Sequence, residues 1–460
     1  MSLNKFHWQI IDLSFQTICL VLNFVVLSRL LNEEDFAIFG VINLVYLFIN
    51  RFQSSGMRMS LVHFKNRKEY YSSIWYFNLL LSFIIFIISV FSLNFFLNYY
   101  SPFYTAYTTE YSIFLLIIVF QSISSIRLVN LYRNKDLKKI FLFNTSFHLS
   151  KIILITWFAF YFNNYKAMIY GNLLPVLVQS LFSYFLVPGK INFEFDLKKI
   201  KKVTSFSKWL LFKNIFGYLS NNGVSLLTAF YLQPAILGNI QRSNTLTSFF
   251  IKFTRNINKN FYYAIYEDNK NNKKKSSGLL ITSINLILNL FFLISFFLFF
   301  FGNDVIQSVM GSKWNNIHFI LCNLLLYTLF EVINIFLSSY YRAIYGSKRE
   351  FNAALIKALI MLPLLFLGIK IYNLNGLLIA LLISAFISTN IELFRSISNW
   401  KKLIPIQAKL SIFLLLGIIF SFSDFIHIIF NDNYSKILIL LLLLINLVLG
   451  VKKNTKLWTN

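Results

Sequence analysis

The chain has 460 residues, of which 57% are hydrophobic, 19% aromatic and only 13% charged, with a formal net charge of +26. Its mean hydropathy is +0.63. A water-soluble domain exposes too much of its surface to hide that apolar share, so a soluble globular class is excluded. A nucleic-acid-binding domain is excluded too, because the basic residues fall in small clusters between apolar runs instead of forming one patch.

Apolar runs long enough to cross a bilayer recur along the whole chain. In chain order the spans are predicted at 9–31, 36–55, 74–98, 111–132, 140–162, 167–187, 206–232, 235–262, 277–301, 317–341, 353–373, 376–394, 409–430 and 436–451. The first run contains Asp12 and lacks a small-residue cleavage site, so it is expected to stay as a span. The second and eighth runs are the least apolar. The segments 188–205 and 264–276 read as basic linkers, and no segment reads as a soluble domain or carries a phosphate-binding loop of the GxxxxGK[ST] type. Cys19 and Cys322 lie in apolar runs, which excludes a disulfide framework and fits no metal-ligand spacing.

Loop charge tests this count. Most of the 43 Lys and Arg residues fall at the N-terminus or after the even-numbered spans, as in Arg133, Lys135, Lys138 and Lys139 or Lys270, Lys273, Lys274 and Lys275. The other side holds only Arg29, Lys166, Lys313, Lys370 and Lys436. A missed span would invert the phase from that point on, and no inversion occurs. Basic loops face the cytoplasm, so both termini are expected there, with anionic membrane lipid as the partner of the loops.

The opening of span two, Ala37-Ile38-Phe39-Gly40, matches the opening of span eight, Ala235-Ile236-Leu237-Gly238. The matches lie six spans apart at the same point of the topology. An even number of spans gives parallel repeats. The expected fold is therefore an all-α membrane protein of about 14 transmembrane helices. It divides into a six-helix bundle over 1–190, a second over 200–400, and two additional helices over 405–460. Substrate is expected between the bundles, and the nearly uncharged last two spans are suited to seating a lipid tail.

Charge inside a span costs roughly 2.5–3.5 kcal/mol at the bilayer centre on insertion scales, so each such residue needs a reason. The cations are Arg51, Arg127, Lys151, Lys208, Lys213, Arg242, Lys252, Arg255 and Lys357. For Lys208, Lys252, Arg255 and Lys357 two readings stand, a cavity role or snorkelling to the inner headgroups. Lys151 and Arg242 lie deeper and fit a cavity. On spans seven and eight, Lys213, Gly217, Ser220 and Asn221, and then Arg242, Thr245, Lys252, Arg255 and Asn256, recur at helical spacing. The Asn and Thr positions serve equally for bonding between helices. Asp12 and Glu331 are the intramembrane anions, either paired with a cation or coupled to a proton or sodium gradient. His148 and His318 are isolated near span ends and read as structural. Excess interior cation predicts an anionic, phosphate-bearing ligand, since arginine grips phosphate bidentately and lysine acts as a point charge. No paired-carboxylate, Ser-His-Asp or metal-ligand pattern is present, so neither an enzyme nor a bound cofactor is expected.

Several stretches together resemble the polysaccharide transporter family, the O-antigen and exopolysaccharide flippases of the multidrug/oligosaccharidyl-lipid/polysaccharide exporter superfamily. They are Leu27-Ser28-Arg29-Leu30-Leu31 through Asp35-Phe36-Ala37-Ile38-Phe39-Gly40, Trp209-Leu210-Leu211, Ala235-Ile236-Leu237-Gly238-Asn239, Met310-Gly311-Ser312-Lys313-Trp314 and Tyr341-Arg342-Ala343-Ile344-Tyr345-Gly346. The resemblance implies alternating access and export of undecaprenyl-diphosphate-linked oligosaccharide across a bacterial inner membrane. It also implies the polysaccharide polymerase and chain-length machinery as partners. It supplies no strict site motif, so Arg51, Arg127, Lys151, Lys213, Asn221, Arg242, Arg255 and Lys357 stand as the candidate substrate-binding residues on charge alone. A cation-coupled multidrug antiporter of the same superfamily would want an acidic cleft. A lipid II flippase remains an alternative cargo reading, and a sugar polymerase or ligase would need a long external loop that the sequence lacks.

Overall fold

The structure is a computed structural model that describes residues 3–54, 67–100, 102–125, 128, 131, 136–187, 195–271, 273–314, 317–345, 347–397 and 400–421. Among the described residues the chain is helical throughout, with no strand. The helices are α1 (Leu3–Leu30), α2 (Glu33–Ser54), α3 (Arg67–Tyr100), α4 (Thr108–Ser125), α5 (Leu137–Phe162) and α6 (Lys166–Leu186). There follow α7 (Leu197–Tyr231), α8 (Pro234–Asn271), α9 (Lys273–Met310) and α10 (Ile317–Ile344). The stretch Ser347–Ser396 is two helices, α11 and α12, broken at Tyr372 and Asn373, and α13 is Trp400–Ser421. These correspond one to one with the first thirteen predicted spans. The fourteenth, 436–451, lies outside the described residues. Helices are the expected solution in lipid, where each backbone N–H and C=O must find its partner within the segment.

Local chemistry places the breaks. The predicted turn at Asn32-Glu33-Glu34-Asp35 is the start of α2, where three carboxylates sit in the first turn against the positive end of the helix. Asp35 accepts the Asn32 N–H at 3.0 Å and the Tyr165 N–H at 2.9 Å, tying two outer turns together. Asp136 caps α5 by accepting from the Lys139 N–H at 3.3 Å. Asn163 ends α5 in the left-handed conformation with φ 49°. The tight link between α11 and α12 uses the same device, Asn373 at φ 50°. Here Gly368 and Gly376 let the two backbones meet, because a Cβ on either would strike the carbonyl of the other.

One expectation is corrected. The segment 264–276 is not a linker: α8 runs through Asn271 and α9 begins at Lys273. Likewise α7 starts at Leu197, inside the segment read as a loop. A helix needs no bilayer to continue, only its own hydrogen bonds, so the polar run extends the spans beyond their apolar ends. Eight segments are long and apolar enough to cross a membrane, one of them the Lys348–Ser396 hairpin. Among the described residues, α7 and α8 do not meet that test.

The chain forms two compact units, Met1–Tyr218 with Gln233–Gly238, and Leu219–Leu232 with Asn239–Asn460. In the first, α5 lies against α6 and α1, and α4 against α6 and α3. Gly171 on α6 is needed where it meets Ile155 of α5, and Gly238 where it meets the Glu33 carbonyl. In the second, α10 is the central post, in contact with α9, α11, α12 and α13. Its Leu326, Leu329, Phe330, Ile333 and Phe336 form the heart of a buried apolar cluster.

Candidate functional site

In the first unit a polar cluster forms where α2, α4 and α7 converge. Tyr46 donates its hydroxyl to Gln121 Oε1 at 3.0 Å and accepts from Asn50 at 3.2 Å. Tyr218 donates to the Leu44 carbonyl at 2.8 Å and packs its ring on Phe48. Arg51 is half-buried and lies close enough to the Tyr46 and Tyr218 phenols to act on both electrostatically. Elsewhere in the unit, Asp12 accepts from the Asn144 amide at 2.9 Å across α1 and α5. Lys151 is half-buried two turns further along α5, its ammonium 5.7 Å from the Phe147 ring. At the start of α4 Glu110 pairs with Lys166 at 3.2 Å and accepts from the Tyr165 hydroxyl at 3.4 Å.

In the second unit Arg242 is enclosed on α8, 4% exposed, with its guanidinium 6.0 Å from the ring of buried Trp314. A cation facing an indole is stabilised by the ring quadrupole, which suits an arginine out of water. Two residues further along α8 the Asn244 amide donates to Ser225 at 3.3 Å, joining α8 to α7. Deeper in the unit Lys357 of α11 donates to Glu331 and, at 3.2 Å, to the Tyr327 hydroxyl, both on α10. Lys409 donates to Asn289 at 2.7 Å and Asn334 to Thr389 at 3.2 Å, so polar side chains join helices across the apolar core.

The end of α10, the start of α11 and the end of α12 carry two buried carboxylates. Glu350 takes both Nε and a terminal nitrogen of Arg342, at 3.0 and 2.5 Å, and the Ser338 hydroxyl at 2.8 Å. Glu392 receives the Tyr341 hydroxyl at 2.6 Å and Arg395 at 3.2 Å. These arginines are half-exposed while their carboxylates are buried, so the pairs close the ends of three helices against solvent.

The residues proposed from charge thus separate. Arg242 is buried within its unit, and Arg51 and Lys151 are half-buried in theirs. Arg255 and Asn221 are exposed, as is Lys252. Lys357 is committed to Glu331. Arg127 lies outside the described residues, as do the side chains of Lys208 and Lys213. The sequence did not point to Tyr46 and Tyr218, which lie near Arg51, or to Gln121, which accepts from Tyr46. The spacing of Tyr46 and Asn50, one helical turn apart and next to Arg51, was the available signal.

Helices long and apolar enough to cross a membrane many times define a polytopic membrane protein with an all-helical fold among the described residues. Two solved structures share that fold. One is a lipid II flippase MurJ in an inward closed conformation, with a TM-score of 0.69 and 16% identity over 97% of this chain and 98% of that one. The other is an inward-facing multidrug resistance MATE family transporter of the MOP superfamily, with a TM-score of 0.65 and 15% identity over 84% of this chain and 98% of that one. Identities this low show the fold alone. No curated protein matches the sequence. The chain belongs to the polysaccharide biosynthesis protein family, whose model matches residues 26–318.

Proposed function

We propose that this chain is a flippase that carries undecaprenyl-diphosphate-linked oligosaccharide repeat units from the cytoplasmic to the periplasmic leaflet of a bacterial inner membrane, by alternating access. The observation that carries the reading is membership of a polysaccharide biosynthesis family in a chain with a transporter fold. Interior cations support an anionic cargo. Arg51, Lys151 and Arg242 each bring positive charge out of water, and a diphosphate is the group that arginine and lysine bind best there. Arg255 and Asn221 extend the polar face of α7 and α8 and belong to the route of the sugar head. The units bind the head differently in their inward and outward states, since a ligand shifts an equilibrium only by its differential affinity. Both termini stay in the cytoplasm, as the charged loops require.

Deletion of the gene in a strain without paralogues tests this. Lipid-linked repeat units should accumulate on the cytoplasmic leaflet, out of reach of periplasmic modifying enzymes, and surface polysaccharide should disappear. Unchanged surface polysaccharide would overturn the proposal, and accumulation of lipid II instead would assign the cargo to peptidoglycan synthesis.

A further inference from the structure

Glu331 sits in the middle of α10, the most enclosed of the apolar spans among the described residues, with a side chain only 14% exposed. A carboxylate there must be neutralised, because lipid and packed protein offer no water to screen it. Only a few agents can do this, namely a proton, a soluble cation or a cation belonging to the chain. Tyr327 lies four residues before Glu331, so its hydroxyl and the carboxylate are presented on one face of the helix. Together they form an oxygen-lined seat of the kind that hard cations prefer. The occupant of that seat is the ammonium of Lys357, which bonds to both oxygens and lies 5.6 Å from the Tyr327 ring. Asp12, the anion that the sequence places within a span of the first unit, accepts instead from the neutral amide of Asn144.

We propose that Lys357 is a resident counter-ion, filling a seat on α10 that would otherwise take an alkali cation such as sodium. A soluble ion stabilises the state it binds in proportion to its concentration, whereas a tethered one is always present. The second unit is therefore indifferent to sodium and potassium, and removing the Lys357 ammonium opens a latent monovalent-cation site made by Glu331 and Tyr327. The inference stands apart from the identity of the cargo, and its test contains no lipid-linked sugar.

The experiment measures the unfolding temperature of the purified full-length protein in detergent, in sodium, potassium or choline chloride at constant ionic strength. The natural protein should unfold at the same temperature in all three. Lys357→Met should unfold several degrees lower in choline and recover much of that loss in sodium, and Glu331→Gln/Lys357→Met should again be indifferent. Sodium stabilisation of the natural protein that Glu331→Gln abolishes would overturn the proposal, as would a folded Lys357→Met protein that ignores alkali cations. If Lys357→Met yields no folded protein, the double variant decides. Its folding supports the assignment, since the unanswered carboxylate was then the fault. Its failure overturns it, since the side chains then serve packing and not charge balance.

Discussion

Helices α5 and α10 are both apolar enough to cross a membrane, yet 17% of the apolar window of α5 is buried by protein against 78% for α10. α5 turns Ile153, Trp157, Phe160 and Tyr161 outward and keeps a narrow inner stripe, including Ile155 and Ala159. α10 is enclosed on nearly every side by α9, α11, α12 and α13. In water such a difference would show as polarity on the outer face. In a bilayer it does not, because lipid tails are as apolar as leucine and give no reason to change residue type. The difference lies in shape and in charge. α10 carries Glu331 because the protein around it supplies Lys357, and α5 carries Lys151 on the side away from its most exposed apolar residues.

The largest effect that would sharpen this contrast is on packing. Phe330→Ala empties a site with no exposure and should cost about 3–5 kcal/mol of stability, whereas Phe160→Ala, at a side chain 70% exposed, should cost less than about 1 kcal/mol. Unfolding temperatures in detergent read both. Equal losses would mean that α5 is enclosed by a surface of its own.

A smaller effect is expected where α5 does meet protein. Gly171→Val places new carbon against Ile155 and should cost about 1–3 kcal/mol, because a packed helix contact relaxes only in part. Gly217→Val, where nothing lies within 4 Å of the added Cβ, is the matching control, and it should cost nothing, since the propensity difference of a few tenths of a kcal/mol favours valine in a helix. Similar losses for the two would erase the distinction between the inner stripe of α5 and open space.

The smallest effects on stability are expected at the interior cations, where export is the sensitive readout. Lys151→Gln and Arg242→Gln keep length and hydrogen bonding while removing charge, so protein abundance should hold while export of lipid-linked sugar falls about tenfold or more, the equivalent of a lost charge-assisted contact. Unchanged export with either variant would remove that residue from the cargo route. A fall in abundance matching the fall in export would make the residue structural.

The thirteen described helices were legible one by one. Span length, apolar content and loop charge are properties of short stretches, and membrane insertion adds them up without regard to distant neighbours. The turns at Asn32–Asp35 and around Asn373 were legible for the same reason. The helical ends at 264–271 and 197–205 were not, because their hydrogen bonds are internal while their composition is that of a loop. Among polar residues the sequence singled out Arg51, Lys151, Arg242, Asp12, Glu331 and Lys357 from the cost of charge in lipid. It was silent on Tyr46, Gln121 and Tyr218, whose types are ordinary in a span.

By itself, then, the sequence determined that this protein crosses the membrane many times, and which residues need a reason to be there. Only tertiary structure decided the reasons: that Lys357 answers Glu331 from 26 residues away, that Asp12 meets an amide 132 residues on, and that α10 is enclosed within its unit while α5 is largely uncovered in its own. The physical cause is one of range. Transfer into lipid is settled segment by segment, whereas the pairing of buried charges depends on which helix faces come together.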